Sequence, residues 1–361
     1  MKALYVHIPF CLHICTYCDF CKVSYHSRRA DQYLDALFYE MKDKKMEGNY
    51  ETIYIGGGTP TCLNYNQLER LFKMLQPLAN NVKEYTIEIN PETMDEKKIE
   101  LLRKYGINRL SIGIETFHDE LLKEIERYHR VDESLSLIKR LKEDFNDLNI
   151  DLMYGLPHQS LREIDEDLQY LDMINPSHVS IYSLILEEGT ILNSKGYQPL
   201  DDEEDALYFD YINKKMKERG YIHYEVSNYY KDKPSYHNLV YWHDEDYQGI
   251  GLGAHSLINH IRYENTKSMT QYLKHDYLDH KEILSENDCL FEKIMMGLRL
   301  YEGININEIN EMFHIDFINK YEKVINKYIK FGLLELDENL RVSEEGMKFL
   351  NTILVDFLDT G

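Results

Sequence analysis

The chain has 361 residues, of which 43% are hydrophobic and 29% charged, a composition typical of a globular protein with a sizeable core. Its 41 basic and 63 acidic side chains give a formal charge of −22, which disfavours nucleic acid as a partner and allows at most peripheral contact with a membrane. The sequence lacks both an apolar run of roughly 20 residues, as needed to span a bilayer, and a secretory leader pattern, so we expect a cytoplasmic protein.

The first part of the chain alternates short apolar runs with segments of helical spacing. This alternation predicts parallel βα units around one sheet, connected with a right hand. Six such units are too few for a closed eight-stranded barrel, so the sequence predicts an incomplete parallel (β/α)6 barrel over residues 1–220. Its active end should be the carboxyl edge of the strands. The six predicted strands are 3–8, 52–58, 84–90, 109–115, 149–157 and 178–186.

The pattern changes after residue 220. We predict that the aromatic-rich segment 221–287, which contains HNLVYW and GIGLGAH, extends or covers the sheet. Residues 288–361 combine helices with a hairpin centred on Asp337 to Asn339, as in a winged-helix-like α+β module. This module has 8 basic and 14 acidic side chains, so we expect an interface or a lid rather than a DNA reader.

A cysteine cluster follows the first predicted strand. Cys11, Cys15 and Cys18 have the spacing C-x3-C-x2-C, and clustered thiols in a reducing compartment are typical of metal ligands. An iron-sulfur cluster held by three cysteines would leave one iron open, whereas structural zinc would need a fourth ligand. Candidates for that fourth ligand are His7, His13 and Cys21. The spacing leaves both interpretations open.

The next predicted strands also end in residues suited to ligand binding. The second strand ends in Gly57, Gly58 and Thr59, which would let the backbone approach a ligand closely, although an isolated glycine run is commonly an ordinary turn. Carboxylates at strand ends can accept hydrogen bonds from hydroxyl or ammonium groups, although any single one is commonly a solvated loop acid. The polar residues that we expect at this edge are Glu88, Glu115, Arg127 and Asp151.

Taken together, these motifs resemble the radical S-adenosylmethionine (radical SAM) superfamily and, within it, the anaerobic coproporphyrinogen III oxidase family. The matching text is LYVHIPFC, YCDF, GGGTP, IEINP, SIGIETF, DLMYGLP, HNLVYW and GIGLGAHS, between residues 4 and 256. The resemblance implies a 4Fe-4S cluster on Cys11, Cys15 and Cys18, with S-adenosylmethionine on the open iron. It also implies S-adenosylmethionine contacts at Tyr5, Tyr17, Gly57, Gly58, Thr59, Glu88, Arg127 and Asp151. Glu115 stands where the family usually has glutamine, so its contact is an open question.

The family contains both the oxidase and the HemW haem chaperones, and three features favour the chaperones. Only ten residues precede Cys11, whereas the oxidase has a long extension there. Phe20 stands where the oxidase has a further cysteine, and Cys21 comes one place later, where as a fourth ligand it would close the open iron. HNLVYW resembles the HNxxYW motif associated with haem binding, although a histidine beside aromatics is commonly a hydrogen-bonded core residue. The haem-binding candidates are His237, Tyr241 and Trp242.

The resemblance therefore implies a haem chaperone that delivers haem to haem-requiring respiratory proteins, with the cluster and S-adenosylmethionine supporting or controlling transfer. The alternative is an oxygen-independent coproporphyrinogen III oxidase, which would decarboxylate propionates to vinyl groups and would need a basic pocket for them. The acidic composition does not favour such a pocket. A homodimer is compatible with the sequence.

Overall fold

The computed structural model describes residues 1–48 and 50–360, together with the side chains of these residues up to 358. The strands are β1 Ala3–Ile8, β2 Phe10–Cys11, β3 Val23–Ser24, β4 Thr52–Gly57, β5 Glu84–Ile89, β6 Arg109–Glu115, β7 Asp147–Tyr154, β8 His178–Ser183, β9 Ile222–His223, β10 Asn228–Tyr230, β11 Tyr247–Ile250, β12 His255–Ile258, β13 Ile261–Asn265, β14 Leu278–Ile283, β15 Ile304–Asn305, β16 Leu334–Leu336 and β17 Asn339–Val342. The α-helices are α1 Ser27–Asp43, α2 Tyr65–Leu75, α3 Glu96–Lys104, α4 Asp119–Glu124, α5 Val131–Leu141, α6 Leu161–Ile174, α7 Ile191–Ser194, α8 Asp202–Glu218, α9 Tyr236–Trp242, α10 Met269–Tyr272, α11 Glu286–Gly297, α12 Ile306–Phe313, α13 Phe317–Lys320, α14 Glu322–Lys330, α15 Glu344–Met347 and α16 Leu350–Thr360.

One twelve-stranded sheet forms most of the molecule, in the order β14-β13-β12-β11-β1-β4-β5-β6-β7-β8-β10-β9. Its centre consists of the six predicted strands, β1 and β4 to β8, which are neighbours and all parallel. The predicted incomplete parallel barrel is therefore confirmed. The segment after residue 220 extends both ends of the sheet: β10 and β9 continue antiparallel beyond β8, and β11 adds a further strand parallel to β1.

The strands of the barrel are buried on both faces, as is typical of a parallel sheet that is covered on both sides. On β4, Ile53 and Ile55 belong to the hydrophobic core with the helices. Side chains alternate along a strand, so Thr52, Tyr54 and Gly56 face the opposite way, into the barrel interior. The interior face is therefore the side on which polar and aromatic groups of successive strands meet.

The C-terminal part of the chain has its own hydrophobic core, built from residues between Cys289 and Phe357. Helices α11 to α16 surround a small antiparallel sheet in the order β15-β17-β16. The predicted hairpin is confirmed as β16 and β17, and the module has the expected helix-and-hairpin composition. Helix α11 also packs against α9 of the preceding segment. No helix in the described part of the chain is long and apolar enough to cross a membrane.

Candidate active site and adjoining cavity

The three clustered cysteines lie on the segment between β1 and β3, here called the cysteine loop, at the carboxyl edge of the barrel: Cys11 ends the short strand β2, Cys15 and Cys18 follow it, and all three are free thiols. Burial raises the pKa of Cys11 to about 12 and also raises that of Cys18. These thiols therefore keep their protons at neutral pH unless a metal displaces them, because metal binding requires the thiolate.

Groups that suit thiolate ligands surround this loop. Arg127 Nη1 lies 3.8 Å from Cys15 Sγ, and Thr59 Oγ1 lies 3.9 Å from Cys11 Sγ. Gly58 leaves room for the loop, since a Cβ atom there would lie 2.9 Å from Cys11 Sγ and 2.7 Å from the carbonyl oxygen of Phe10. A side chain at Gly58 would therefore displace the loop. These three thiols, with a cation and a hydroxyl beside them, fit the donor set of a 4Fe-4S cluster.

The described residues do not form the ligand set that a structural zinc ion would need. Among residues 1–48 and 50–360, no three His, Cys, Asp or Glu side chains meet as they would around a single metal ion. Both ring nitrogens of His7 are hydrogen-bonded, to the Tyr5 hydroxyl at 3.0 Å and the Cys21 carbonyl oxygen at 2.8 Å. The His13 ring stacks on Tyr128 instead. The ligands of a four-iron cluster lie farther apart than those of one ion, so this spread is compatible with the cluster.

Tyr17, Glu115 and Arg127 form a buried network beside the cysteine loop. The Arg127 guanidinium lies 2.9 Å from Glu115 Oε1, and the Tyr17 hydroxyl donates to the same oxygen at 3.0 Å. Burial raises the pKa of Glu115, while the charge of Arg127 opposes that rise. Glu115 therefore takes part in an ion pair, which a glutamine at this position could not form. Arg127 Nε has no hydrogen-bond partner among the described residues.

Glu88, at the end of β5, accepts two hydrogen bonds from β4. The backbone N–H of Gly57 donates to Glu88 Oε2 at 2.9 Å, and the Tyr54 hydroxyl donates to Oε1 at 2.9 Å. Burial raises the pKa of Glu88 to about 7, although both hydrogen bonds oppose the rise. Gly57 has a φ of +117°, and a Cβ atom there would lie 2.5 Å from the His7 ring, so only glycine fits. The arrangement leaves a carboxylate available for a cationic group.

Asp151 lies inside β7 in a polar network of the barrel interior rather than at the strand end. It accepts hydrogen bonds from Ser111 Oγ at 2.9 Å and Asn149 Nδ2 at 2.8 Å. Burial raises the pKa of Asp151, and hydrogen bonds led by that of Ser180 oppose the rise. Its carboxylate already has partners from neighbouring strands.

A cavity of about 900 Å³ opens beside this edge and extends into the barrel. Of the residues predicted from sequence, it brings together Tyr5, Gly57 and Glu88 with the haem-binding candidates. Tyr17, Glu115, Arg127, Asp151 and the three cluster cysteines lie outside its lining, whereas Cys21 lies in it together with Lys267. The aromatic lining consists of Tyr5, Phe20, Tyr54, Tyr182, Tyr241, Trp242 and Tyr247.

His237 lies on α9 toward the opposite end of the barrel from the cysteine loop. Its Nδ1 is 3.2 Å from the hydroxyl of Thr52, the first residue of β4, and its Nε2 is 2.7 Å from the Tyr241 hydroxyl. Gly57 ends the same strand, roughly 16 Å away at the rise of an extended chain. Burial, reinforced by the charge of Arg109, lowers the pKa of His237 to about 3. The imidazole is therefore neutral and has both nitrogens engaged.

The HNLVYW segment is fixed to the barrel at its first residues. The buried carboxylate of Glu84, the first residue of β5, accepts hydrogen bonds from the N–H groups of Tyr236 at 2.8 Å and His237 at 2.9 Å. The hydroxyl of Ser235 donates to the same carboxylate at 3.2 Å. At the other end of α9, Trp242 lines the cavity, and its Nε1 has no hydrogen-bond partner among the described residues.

Sequence reasoning missed several residues of the cavity, namely Tyr54, Lys267, Met296 and Arg299. Tyr54 could have been found, because alternation along TIYIGG places it on the same face as Gly56. Met296 and Arg299 belong to the C-terminal part of the chain, and nothing in the sequence showed that this part reaches the barrel.

Residues 5–171 match the family model described as the radical SAM superfamily, and residues 284–349 match that of the HemN C-terminal domain. The chain is similar to proteins named heme chaperone HemW: it is 35% identical to that of Lactococcus lactis, 34% to that of Bacillus subtilis and 32% to that of Escherichia coli. These matches cover 99% of this chain and 97%, 99% and 98% of those proteins, respectively.

The fold is similar to the solved structure of coproporphyrinogen III oxidase (HemN) from Escherichia coli, described as a radical SAM enzyme. The TM-score is 0.87 and the identity 24%, over 99% of this chain and 90% of that one. The match confirms the shared radical SAM architecture.

Proposed function

Since this chain belongs to the radical SAM superfamily and, within it, to the HemW-like branch of the HemN family, we propose that it is a haem chaperone. Relatives with this name share about a third of their residues with it over nearly the whole chain. The observation that carries the proposal is the cavity of about 900 Å³, which has the size of a cofactor site and a lining rich in aromatic rings. Such rings suit a flat macrocycle.

The proposed resident cofactors are a 4Fe-4S cluster and S-adenosylmethionine. Cys11, Cys15 and Cys18 would hold the cluster. When bound, the two cofactors supply one-electron chemistry. Glu88 would accept hydrogen bonds from a ligand ammonium group, and the chain around Gly57 to Thr59 would approach the ligand closely.

The other predicted S-adenosylmethionine contacts are Tyr5, Tyr17, Glu115, Arg127 and Asp151. Tyr17 and Glu115 orient Arg127 beside the cysteine loop, at 2.9 Å between Arg127 and Glu115, and so place a positive charge near the thiols.

We place haem in the aromatic cavity, with His237 as candidate iron ligand and Tyr241 and Trp242 beside it. The neutral imidazole is the form that binds iron. Because the Tyr241 hydroxyl oxygen lies 2.7 Å from His237 Nε2, the Tyr241 side chain must move away before iron can bind at this nitrogen. From this site the protein would pass haem, in the cytoplasm, to haem-requiring respiratory proteins.

A haem titration of the full chain with a reconstituted cluster tests this proposal. The His237→Ala variant should bind ferric haem about tenfold more weakly, since it loses the proposed ligand. His178→Ala is a matched control, because His178 is also buried between two hydrogen-bond partners but lies outside the cavity lining. An equal loss of haem affinity in both variants would assign the effect to folding. If the unchanged chain does not bind haem, the chaperone proposal is refuted.

The oxidase alternative requires turnover. In Escherichia coli, the HemW relative is 32% identical to this chain and the oxidase 24%. An anaerobic assay with S-adenosylmethionine, a low-potential reductant and coproporphyrinogen III should therefore yield no protoporphyrinogen by chromatography. Accumulation of the vinyl product over many turnovers would overturn the chaperone proposal.

A further inference from the structure

Arg299 differs from the other arginines of this acidic chain. Ten of the thirteen form an ion pair with a carboxylate in the described part of the chain, and Arg28 and Arg29 are exposed to solvent. Arg299 has no carboxylate partner among the described residues, yet it is only partly exposed. The ten paired arginines are Arg70, Arg103, Arg109, Arg127, Arg130, Arg140, Arg162, Arg219, Arg262 and Arg341.

The surroundings of Arg299 leave its charge uncompensated. Arg299 comes two residues after the end of α11, and its Nη1 donates a hydrogen bond to the carbonyl oxygen of Met295 at 2.6 Å. Burial lowers the pKa of Arg299, and no neighbouring charge opposes that shift. Desolvating an unpaired cation costs free energy, so its retention beside a cavity indicates an anionic group in the bound state.

The cavity itself does not supply that anion. Its lining has three carboxylates, and none of them forms an ion pair with Arg299 in the described part of the chain: Asp19 is exposed to solvent, Glu225 accepts hydrogen bonds from the Asn228 side chain and the Ser227 N–H, and Glu88 accepts those from β4. Lys267, the other cation of the lining, already lies 2.9 Å from Glu264. A bound anionic ligand can therefore supply the counter-charge of Arg299.

We propose that Arg299 binds a propionate carboxylate of haem in the aromatic cavity. The assignment rests on the proposed function, since haem combines a flat aromatic ring with two carboxylates. Met296, in the last turn of α11, also lines the cavity. The C-terminal module thereby supplies one wall of the site and the charge that orients the ligand.

The test compares ferric haem with ferric haem dimethyl ester, whose propionates are uncharged, by titration of the full chain. The unchanged protein should bind haem about tenfold more tightly than the ester. Arg299→Gln should lose that preference, because its affinity for haem should fall while its affinity for the ester stays the same. Arg299→Lys should retain part of the preference. Arg262→Gln is the matched control and should keep the preference, because Arg262 is paired with Glu292 at 2.7 Å and lies outside the cavity lining.

The outcomes separate the two proposals. If the unchanged protein binds haem and the ester equally, or if Arg299→Gln discriminates as well as the unchanged protein, the carboxylate contact is wrong and the chaperone stands. If neither compound binds, the chaperone proposal fails and this assignment fails with it. Thermal melting without ligand should show Arg299→Gln at least as stable as the unchanged chain, since an unpaired cation is removed.

Discussion

The surroundings of the cysteine loop and the lining of the cavity differ in whether their arginine is paired with a carboxylate. Beside the cysteine loop, the guanidinium of Arg127 is paired with the Glu115 carboxylate at 2.9 Å, so the charge of this arginine is already compensated. In the cavity, seven tyrosine, tryptophan and phenylalanine rings contribute to the lining, and Arg299 has no carboxylate partner in the described part of the chain. The first region is organised to hold a fixed group, whereas the second leaves a charge that an exchangeable ligand can neutralise.

The largest expected effect is the loss of the proposed cluster when a cysteine of the cysteine loop is replaced. Replacing Cys15 by Ala removes one of the three proposed iron ligands, so the iron and sulfide content after reconstitution should fall at least tenfold. Cys21→Ala should keep its cluster, because Cys21 lines the cavity instead. Cys62→Ala is a matched control, since Cys62 is buried in the hydrophobic core. A cluster lost in Cys21→Ala would assign that residue to the metal site.

Removing the arginine of the buried ion pair between Arg127 and Glu115 should lower the free energy of unfolding more than removing the arginine of a surface pair. Arg127→Leu leaves the Glu115 carboxylate buried without its partner, so the free energy of unfolding should fall by about 3–5 kcal/mol in denaturant titrations. Arg127→Leu combined with Glu115→Gln should recover at least about 1 kcal/mol, because the buried charge is gone. Arg70→Leu, which removes an exposed pair with Asp35, should cost less than about 1 kcal/mol. Equal losses for both arginines would contradict the distinction.

Glu88 makes the stability of the ligand-free protein depend on pH. Its pKa rises from 4.5 to about 7 in the folded state, so the folded state binds the proton more tightly than the unfolded chain does. The stability contributed by this proton is present below about pH 4.5 and is lost as the pH rises through about 7.

Because Glu88 keeps some exposure, we expect this loss to be about 2 kcal/mol between pH 5 and pH 8. Unfolding titrations at both pH values should show Glu88→Gln with a correspondingly smaller pH dependence. Glu133→Gln, at an exposed carboxylate, should behave like the unchanged chain. An unaltered pH dependence in Glu88→Gln would mean that its carboxylate is ionised throughout this range.

The smallest expected effect concerns the hydroxyl on His237. Tyr241→Phe frees Nε2, which is now 2.7 Å from that hydroxyl, so ferric haem should bind about three- to fivefold more tightly in titrations. The gain should vanish when His237→Ala is also present. Tyr247→Phe, which changes another tyrosine of the lining, is the control and should leave the affinity unchanged. Weaker binding by Tyr241→Phe would indicate that the hydroxyl contacts haem itself.

The barrel was predictable because its signals are local. Six buried runs of similar length, each followed by a helix, produced β1 and β4 to β8, and the C-x3-C-x2-C spacing located the cysteine loop. The pairing of β11 with β1 was not predictable, since it joins segments more than two hundred residues apart. Local periodicity carries no information about such a partner.

The candidate site was predictable where its residues end strands and unpredictable where they come from elsewhere. Gly57 and Glu88 were found because parallel strands bring their carboxyl ends to one edge. His237 was found by its motif, but its position near Thr52, at the other end of β4, followed only from the packing of α9. Arg299 could not be predicted from the sequence, because only the folded structure shows which side chains surround it and that none of the described carboxylates pairs with it.

Tyr54 connects the two ends of the barrel interior: its hydroxyl donates to Glu88 at 2.9 Å, and its ring centroid lies 5.1 Å from that of His237. A cation on Glu88 and iron at His237 would therefore both act on one side chain. Thermodynamic linkage makes such an influence reciprocal. If the proposed S-adenosylmethionine and haem sites are coupled through Tyr54, the factor by which one ligand changes the affinity for the other would be the same in both directions, and the occupancy of each site would then report the loading of the other.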